Sequence, residues 1–340
     1  MNLIVEGKGI FISKHQGRIR LVRGSQVVEE VPLIHLNQIL VIDTGVGISS
    51  DVVKLCSEEG IALHFLEKNG MVRASLYAAG LTGTVLTRRA QLLAFSSAKG
   101  CELALAFTRG KLANQIHLLR YFMRSRKDEQ PQLCQKLHQS AQAIQDLLGE
   151  MDGLTIKRQG VEELRPSLLS LEGRAAQHYW AGIRYVLPEQ IDWPGRQTRG
   201  ATDLFNALLN YGYGVLYAQV EQAILLAGLD PYAGFLHADR PGKPSLVLDL
   251  IEEFRQCTVD RTLVGLLNRR VPLEQDSEGL LTAETRRKVA EKVLERLSGS
   301  SELYEGKRQA LRFILQQQAR HLASFLRGDR ETYTPFVAGW

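Results

Sequence analysis

The chain has 340 residues, 44% of them hydrophobic and 23% charged, with a formal net charge of +5 and a pI near 9.0. That length suggests two domains and a core that needs no covalent staples, and no apolar run reaches the ~18 residues of a membrane span. The four cysteines (Cys56, Cys101, Cys134, Cys257) form no CxxC pair and stand at no zinc spacing, so neither a disulfide scaffold nor a zinc module is expected.

Residues 1 to about 85 read as β-rich. The stretches GIFISK, RIRLV, QVVEEV, QILVID, IALHFL and VRASLY are separated by turn residues, among them His15 to Gly17, Arg23-Gly24 and Asn69-Gly70. Asn-Gly accepts positive φ at both central turn positions, which predicts a hairpin there. One short helix interrupts the strands, with Ser49 or Ser50 as N-cap and its end before Gly60. Gly45-Val-Gly-Ile-Ser-Ser, with Glu67 22 positions after Gly45, imitates a dinucleotide fingerprint. Its third glycine is missing and hairpin-like strands precede it, so a plain strand–turn–helix is the better reading. The opening residues, broken by Glu6 and Lys8, lack the apolar region of a signal peptide, and a cytoplasmic location is expected.

The boundary near 80–87 is rich in small residues and reads as a linker. From about 88 apolar residues recur at three- and four-residue spacing over 88–123, 133–148, 162–186, 203–227, 244–256 and 302–327. Segment 188–202 has two prolines, two glycines and no period, and reads as a loop. The expected architecture is therefore α+β: a small β-strand domain over 1–85, then a larger all-helical domain over 86–340.

Three stretches could carry chemistry. In SLLSLEGRAAQHYW (167–180), Leu168, Leu171, Ala175, Ala176 and Tyr179 share one helix face and Glu172 lies beside it. Alone, Glu172 reads as a surface glutamate. In GLDPYAGFLHADRPGKP (228–244), Gly228 closes the preceding helix and His237 follows the apolar pair Phe235-Leu236; alone, it reads as a hydrogen-bonded polar group. In PSLVLDLIEEFR (244–255), Leu246, Leu250 and Phe254 form an apolar line, and Asp249 and Glu252 project from neighbouring positions, with Glu253 able to share that side. Two carboxylates within an apolar helix are costly unless hydrated, paired or bound to a cation. Carboxylates with one imidazole suit Mg²⁺ or Mn²⁺, but spacing does not show that Glu172 joins the other two.

These motifs resemble a known family. DLFNALLNYGYGVL (203–216), GLDPYAGFLH (228–237) and LVLDLIEEFR (246–255) resemble the CRISPR-associated integrase–endonuclease family of the spacer-acquisition module, the first Cas protein. LEGRAAQHYW (171–180) resembles that family's preceding motif, and QARHLASFLRG followed by Tyr333 to Phe336 its closing segment. The match runs clearly over 160–336, with its motifs in family order. The resemblance implies a homodimer whose helical catalytic domain binds Mg²⁺ or Mn²⁺ through Glu172, His237 and Glu252, with Asp249 an alternative or auxiliary ligand. It implies insertion of short DNA fragments (prespacers) into a CRISPR array, by attack of a 3′-hydroxyl on a phosphodiester at the repeat. It also implies double-stranded DNA as substrate and a small second CRISPR-associated protein as partner, with no membrane. Lys243, between His237 and the Asp249 helix, is the expected DNA contact. The family's Arg-Asn-x-x-Pro-Pro loop is replaced by Gly-Arg-Gln-Thr-Arg-Gly-Ala (195–201), without prolines, and carries no assignment. Two other readings are a structure-specific repair endonuclease using water as nucleophile, and a non-enzymatic architectural DNA-binding dimer.

Overall fold

A computed structural model describes residues 2–42, 44–77, 84–124, 126, 129–154, 160–198, 200–299 and 301–339. In chain order the strands are β1 (Asn2–Val5), β2 (Ile10–His15), β3 (Arg18–Arg23), β4 (Gln26–Pro32), β5 (Gln38–Val41), β6 (Gly47–Ile48), β7 (Ala62–Leu66), β8 (Val72–Leu76), β9 (Glu302–Tyr304) and β10 (Lys307–Gln309). The helices are α1 (Ser50–Glu58), α2 (Thr84–Ala94), α3 (Ala98–Arg124), α4 (Pro131–Asp152), α5 (Val161–Val186), α6 (Leu204–Leu226), α7 (Ser245–Ile251), α8 (Arg261–Asn268), α9 (Ala283–Gly299) and α10 (Leu311–Arg327). A β-rich N-terminal region with two sheets thus precedes a mostly helical region.

Two compact units emerge. The first comprises Met1–Leu81, Thr198–Ala218 and Pro272–Leu294; the second comprises Thr82–Gln197, Gln219–Val271 and Glu295–Trp340. In the first unit one sheet has the order β1-β5-β7-β8 and the other β4-β3-β2-β6. Alternating inward residues of both sheets, Leu3, Val5, Ile12, Ile19, Leu21 and Ile39 among them, build one core with Val52 and Leu55 of α1. Each such fully buried aliphatic side chain contributes roughly 1.5–3 kcal/mol.

All six expected strands form. The hairpin at Asn69-Gly70 forms too, but by a different turn. Gly70 N–H donates to the Glu67 carbonyl (2.9 Å) and only Gly70 of the pair has positive φ, +86°. Lys68 and Asn69 are therefore the central residues, and Gly70 takes the left-handed position after them. Gln16-Gly17, with φ of 45° and 73°, is instead a two-residue turn with both φ positive. Around the Gly45 motif, β5 and β7 are parallel, with α1 between them. That is a βαβ crossover, which the hairpin-like reading had not anticipated. Gly47-Ile48 pairs with β2, Ser49 caps α1 through its side chain (3.4 Å to Val52 N), and Glu67 meets Arg73 at 2.5 Å. Each of these residues has a structural partner.

In the second unit α3, α4 and α5 pack on one another and α10 packs on α2. The helical pattern expected over 88–123 is two helices, α2 and α3, broken at 95–97. Gly100 sits at the break, where a Cβ would come within 2.6 Å of the Ala94 carbonyl oxygen. Of the boundary near 80–87, residues 84–87 are already helical and 80–83 lie outside the described residues. Segment 302–310, expected as helix, is a hairpin whose turn residues Glu305 and Gly306 have φ of 47° and 77°. Lys307 and Arg308 are thus not on the last helix.

Candidate active site

The site is assembled from α3, α5, the 230–244 loop and α7, all in the second unit. Gly228 (φ +77°) ends α6, and the chain then turns back on itself. Gln91 of α2 holds that turn, bonding Asp230 N–H (2.8 Å) and the carbonyls of Asp230 (2.8 Å) and Ala233 (2.7 Å). Gly234 passes so close to α7 that a Cβ would stand 2.6 Å from the Ser245 backbone and 2.8 Å from an Asp249 oxygen. Only a glycine fits there.

Asp249, fully buried, organises the loop. Its carboxylate accepts from the backbone N–H groups of Phe235 (2.6 Å), Leu236 (3.1 Å) and His237 (2.9 Å). It also faces His237 Nδ1 at 2.8 Å. A carboxylate only accepts, so Nδ1 carries the proton that faces Asp249, and Nε2 is the ring nitrogen left for another partner. Arg165 of α5 grips the same loop from the other side, donating to the carbonyls of Leu236 (2.9 Å) and Phe235 (3.2 Å).

Glu172 stands two helical turns after Arg165 on α5. It is buried, at 7% exposure, not a surface residue. Glu252 caps the C-terminus of α7 at 3% exposure. Both meet Lys111 of α3: the ammonium is 3.2 Å from Glu172 Oε1 and 3.1 Å from Glu252 Oε2. Arg255 approaches the other Glu252 oxygen at 3.4 Å. Burial works to raise the Glu252 pKa, but Arg255, Lys111 and His237 together outweigh it and hold the carboxyl down to about 2. The two carboxylates hold the Lys111 pKa above its ordinary value, against its burial. Glu252 and Lys111 therefore hold each other in their charged forms.

Glu253, expected to share the side of Asp249, turns away. It accepts from Tyr333 Oη (2.6 Å), Gln318 Nε2 (2.8 Å) and Phe336 N–H (2.7 Å), and so anchors the C-terminal segment. Lys243 is half-buried, and its N–H closes a turn on the Arg240 carbonyl at 3.0 Å. Arg174 is occupied by Glu150 at 2.7 Å.

The motif reading overlooked Lys111 and Arg165. Lys111 was legible as a cation on a buried helix face, since Phe107, Asn114 and Leu118 around it at helical spacing are all fully buried. Nothing local marks Arg165, because its partners lie about 70 residues away.

The donors suit a hard divalent cation. Among the described residues, Glu172 Oε1 and Glu252 Oε2 are buried and accept no hydrogen bond in good geometry; the ammonium at ion-pair distance is what balances them. Two buried carboxylates from separate helices thus converge on one cationic position, and the His237 ring braced by Asp249 is near enough to Glu252 to act on it electrostatically. Among the described residues, no three acidic, His or Cys side chains already stand at ligand spacing.

Architecture and site together define a class: a two-sheet β-rich region followed by a helical region bearing an acid–histidine centre. The description "CRISPR associated protein Cas1" matches residues 3–295. The chain is 37% identical over 351 residues to the CRISPR-associated endonuclease Cas1 1 of Archaeoglobus fulgidus, covering 100% of both. It belongs to the CRISPR-associated Cas1 family, as its motifs led one to expect. Among solved structures it shares its fold with a casposase bound to integration product (TM-score 0.82, 22% identity, 98% of this chain and 92% of that one). It also shares it with a chain of a Cas6-RT-Cas1–Cas2 complex (TM-score 0.73, 21% identity, 99% and 36%). Among the described residues no helix is long and apolar enough to cross a membrane.

Proposed function

We propose that this chain is a metal-dependent DNA endonuclease and integrase that inserts short DNA fragments into a CRISPR array, with Glu172, Glu252 and His237 holding Mg²⁺ or Mn²⁺. The observation that carries the proposal is the convergence of two buried carboxylates on one cation, next to a histidine braced by a carboxylate. The names of its relatives supply the nuclease class, and the integration product and Cas2 named for its structural neighbours agree with DNA joining and with a small protein partner.

Glu172 and Glu252 provide hard oxygen donors from two helices, so their separation is set by helix packing and not by a flexible loop. Asp249 acts on His237, not in place of it. With four hydrogen bonds at its two oxygens it fixes the tautomer and aims Nε2. Arg165 and Asp249 pin the loop backbone from opposite sides, which keeps the imidazole in one place. Burial strengthens every electrostatic contact of the carboxylates. A divalent ion bound there supplies charge stabilisation at the transferring phosphate and a lowered pKa for the attacking hydroxyl. Lys243, at the mouth of the loop, is the residue proposed to contact the DNA backbone.

The test supplies a fragment with free 3′-hydroxyls, a repeat-containing target and Mg²⁺ or Mn²⁺. Joined product is expected. Glu172→Gln, Glu252→Gln and His237→Ala should each lower joining by about 100-fold or more, with folding and DNA binding retained. Hydrolysis with no joined product would instead favour a repair endonuclease. Unchanged DNA processing in all three variants would leave only an architectural role.

A further inference from the structure

The mechanism leaves Lys111 without a task, although its ammonium occupies the centre of the site. We infer that Lys111 and the divalent metal compete for the same two carboxylate oxygens, so that Lys111 sets how tightly the site binds metal. This inference rests on the metal-site reading above.

The geometry makes the two cations mutually exclusive. The ammonium lies 3.2 Å from Glu172 Oε1 and 3.1 Å from Glu252 Oε2, and these are the two oxygens that accept no other hydrogen bond among the described residues. A metal ligated by both oxygens at about 2.1 Å would have to sit close to where Nζ now sits. Two positive charges cannot share that position in a partly desolvated site. The metal must therefore displace the ammonium, and the free energy of its double ion pair is subtracted from metal binding.

The side chain is suited to such displacement. Lysine is a point charge on a flexible four-carbon stem, unlike the rigid guanidinium fork of arginine. Its side chain is 18% exposed while the carboxylates it bridges are 8% and 3% exposed, so the lysine is the most solvent-accessible member of the cluster. Arg255 is not an equivalent competitor, because it meets Glu252 at its other oxygen. Lys111 also has a second consequence. With it gone and no metal present, two buried carboxylates face each other with one fewer countercharge, which destabilises the fold.

The experiment is a Mn²⁺ titration of the full chain, without DNA, by electron paramagnetic resonance of free Mn²⁺ and by thermal unfolding. Lys111→Met should bind Mn²⁺ at least about tenfold tighter than the unaltered chain. It should have a lower Tm without metal, and a larger gain in Tm when Mn²⁺ is added. Lys111→Arg, which keeps the charge, should show no tightening. If Lys111→Met does not fold, Lys111→Gln replaces it and the same tightening is expected. Unchanged or weaker Mn²⁺ binding in the neutral variants overturns the competition. Glu252→Gln separates this from the underlying reading. If it abolishes Mn²⁺ binding while the Lys111 variants gain nothing, the metal site stands and the competition fails. If Glu252→Gln leaves Mn²⁺ binding intact, the metal-site reading itself fails, and the competition with it.

Discussion

At the scale of single residues, neighbouring carboxylates have opposite fates. Glu252 faces cations and is held ionised. Glu253, one position on, is fully buried with no ion pair among the described residues, and burial pushes its pKa up to about 7 despite hydrogen bonds from Tyr333, Phe336 and Gln318. A carboxyl with a folded pKa above its unfolded value stabilises fully below the unfolded value of 4.5, and that stability is lost as pH rises through 7. Glu253→Gln should therefore flatten the pH dependence of stability between pH 5 and pH 8. At pH 8 it should be the more stable protein, by on the order of 3 kcal/mol. The amide keeps an acceptor for Gln318 and Phe336 and can donate to Tyr333. Denaturant unfolding at the two pH values checks this, and equal pH slopes for both proteins would contradict it. Asp249 supports a second prediction. Asp249→Asn leaves one amide group to face four donors, so it should weaken Mn²⁺ binding by about 10- to 100-fold without abolishing it, measurable in the same titration as the Lys111 variants.

At the scale of elements, periodicity reported helices only where an apolar face was wide enough to see. α9 (Ala283–Gly299) was missed because its sequence, AETRRKVAEKVLERLSG, is dominated by charge. Its exposed face is laced by pairs such as Lys288–Glu284 (2.6 Å) and Arg287–Glu291 (3.0 Å), and its buried Arg286 pairs with Glu6 of the first unit. The reverse error occurred at 302–310, where apolar residues at helical spacing belong to a hairpin. Local turn chemistry, Glu305-Gly306 with both φ positive, overrode the pattern. Close approach of elements also selects residues. Within the first unit, a Cβ on Gly214 of α6 would lie 1.6 Å from the Gly70 carbonyl oxygen, and one on Gly70 would lie 2.5 Å from the Tyr211 backbone. Gly214→Ala should therefore cost about 3 kcal/mol or more, because backbone and not a flexible side chain must move. A Tm within a degree or two of the parent would refute the contact.

At the scale of the whole molecule, one buried group in each unit responds to pH, and the two respond in opposite directions. His64, buried in the first unit, has its pKa lowered to about 4 by burial. A histidine with a depressed folded pKa stabilises above its unfolded value of 6.5 and loses that stability as pH falls toward 4. Glu253 loses its contribution as pH rises. Hydrogen exchange should thus find β7 and β8 around His64 relatively less protected at pH 5, and the C-terminal segment anchored by Glu253 relatively less protected at pH 8. Parallel behaviour of both regions would count against these assignments.

The amino-acid sequence by itself determined the class of fold, six of the strands, most helices and the family, because these depend on local periodicity and on ordered motifs. It also singled out Glu172, His237, Asp249 and Glu252 as residues worth watching. It could not show Glu172 and Glu252 meeting on one cation, since they come from helices 80 positions apart and each alone resembles an ordinary acid. Only the tertiary structure brought them to Lys111, sent Glu253 to the C-terminal segment, and joined 198–218 and 272–294 to the β-rich unit. The physical reason is common to all three. Burial and long-range ion pairing depend on which helix faces are pressed together, and that is a property of the packed chain, not of any one segment.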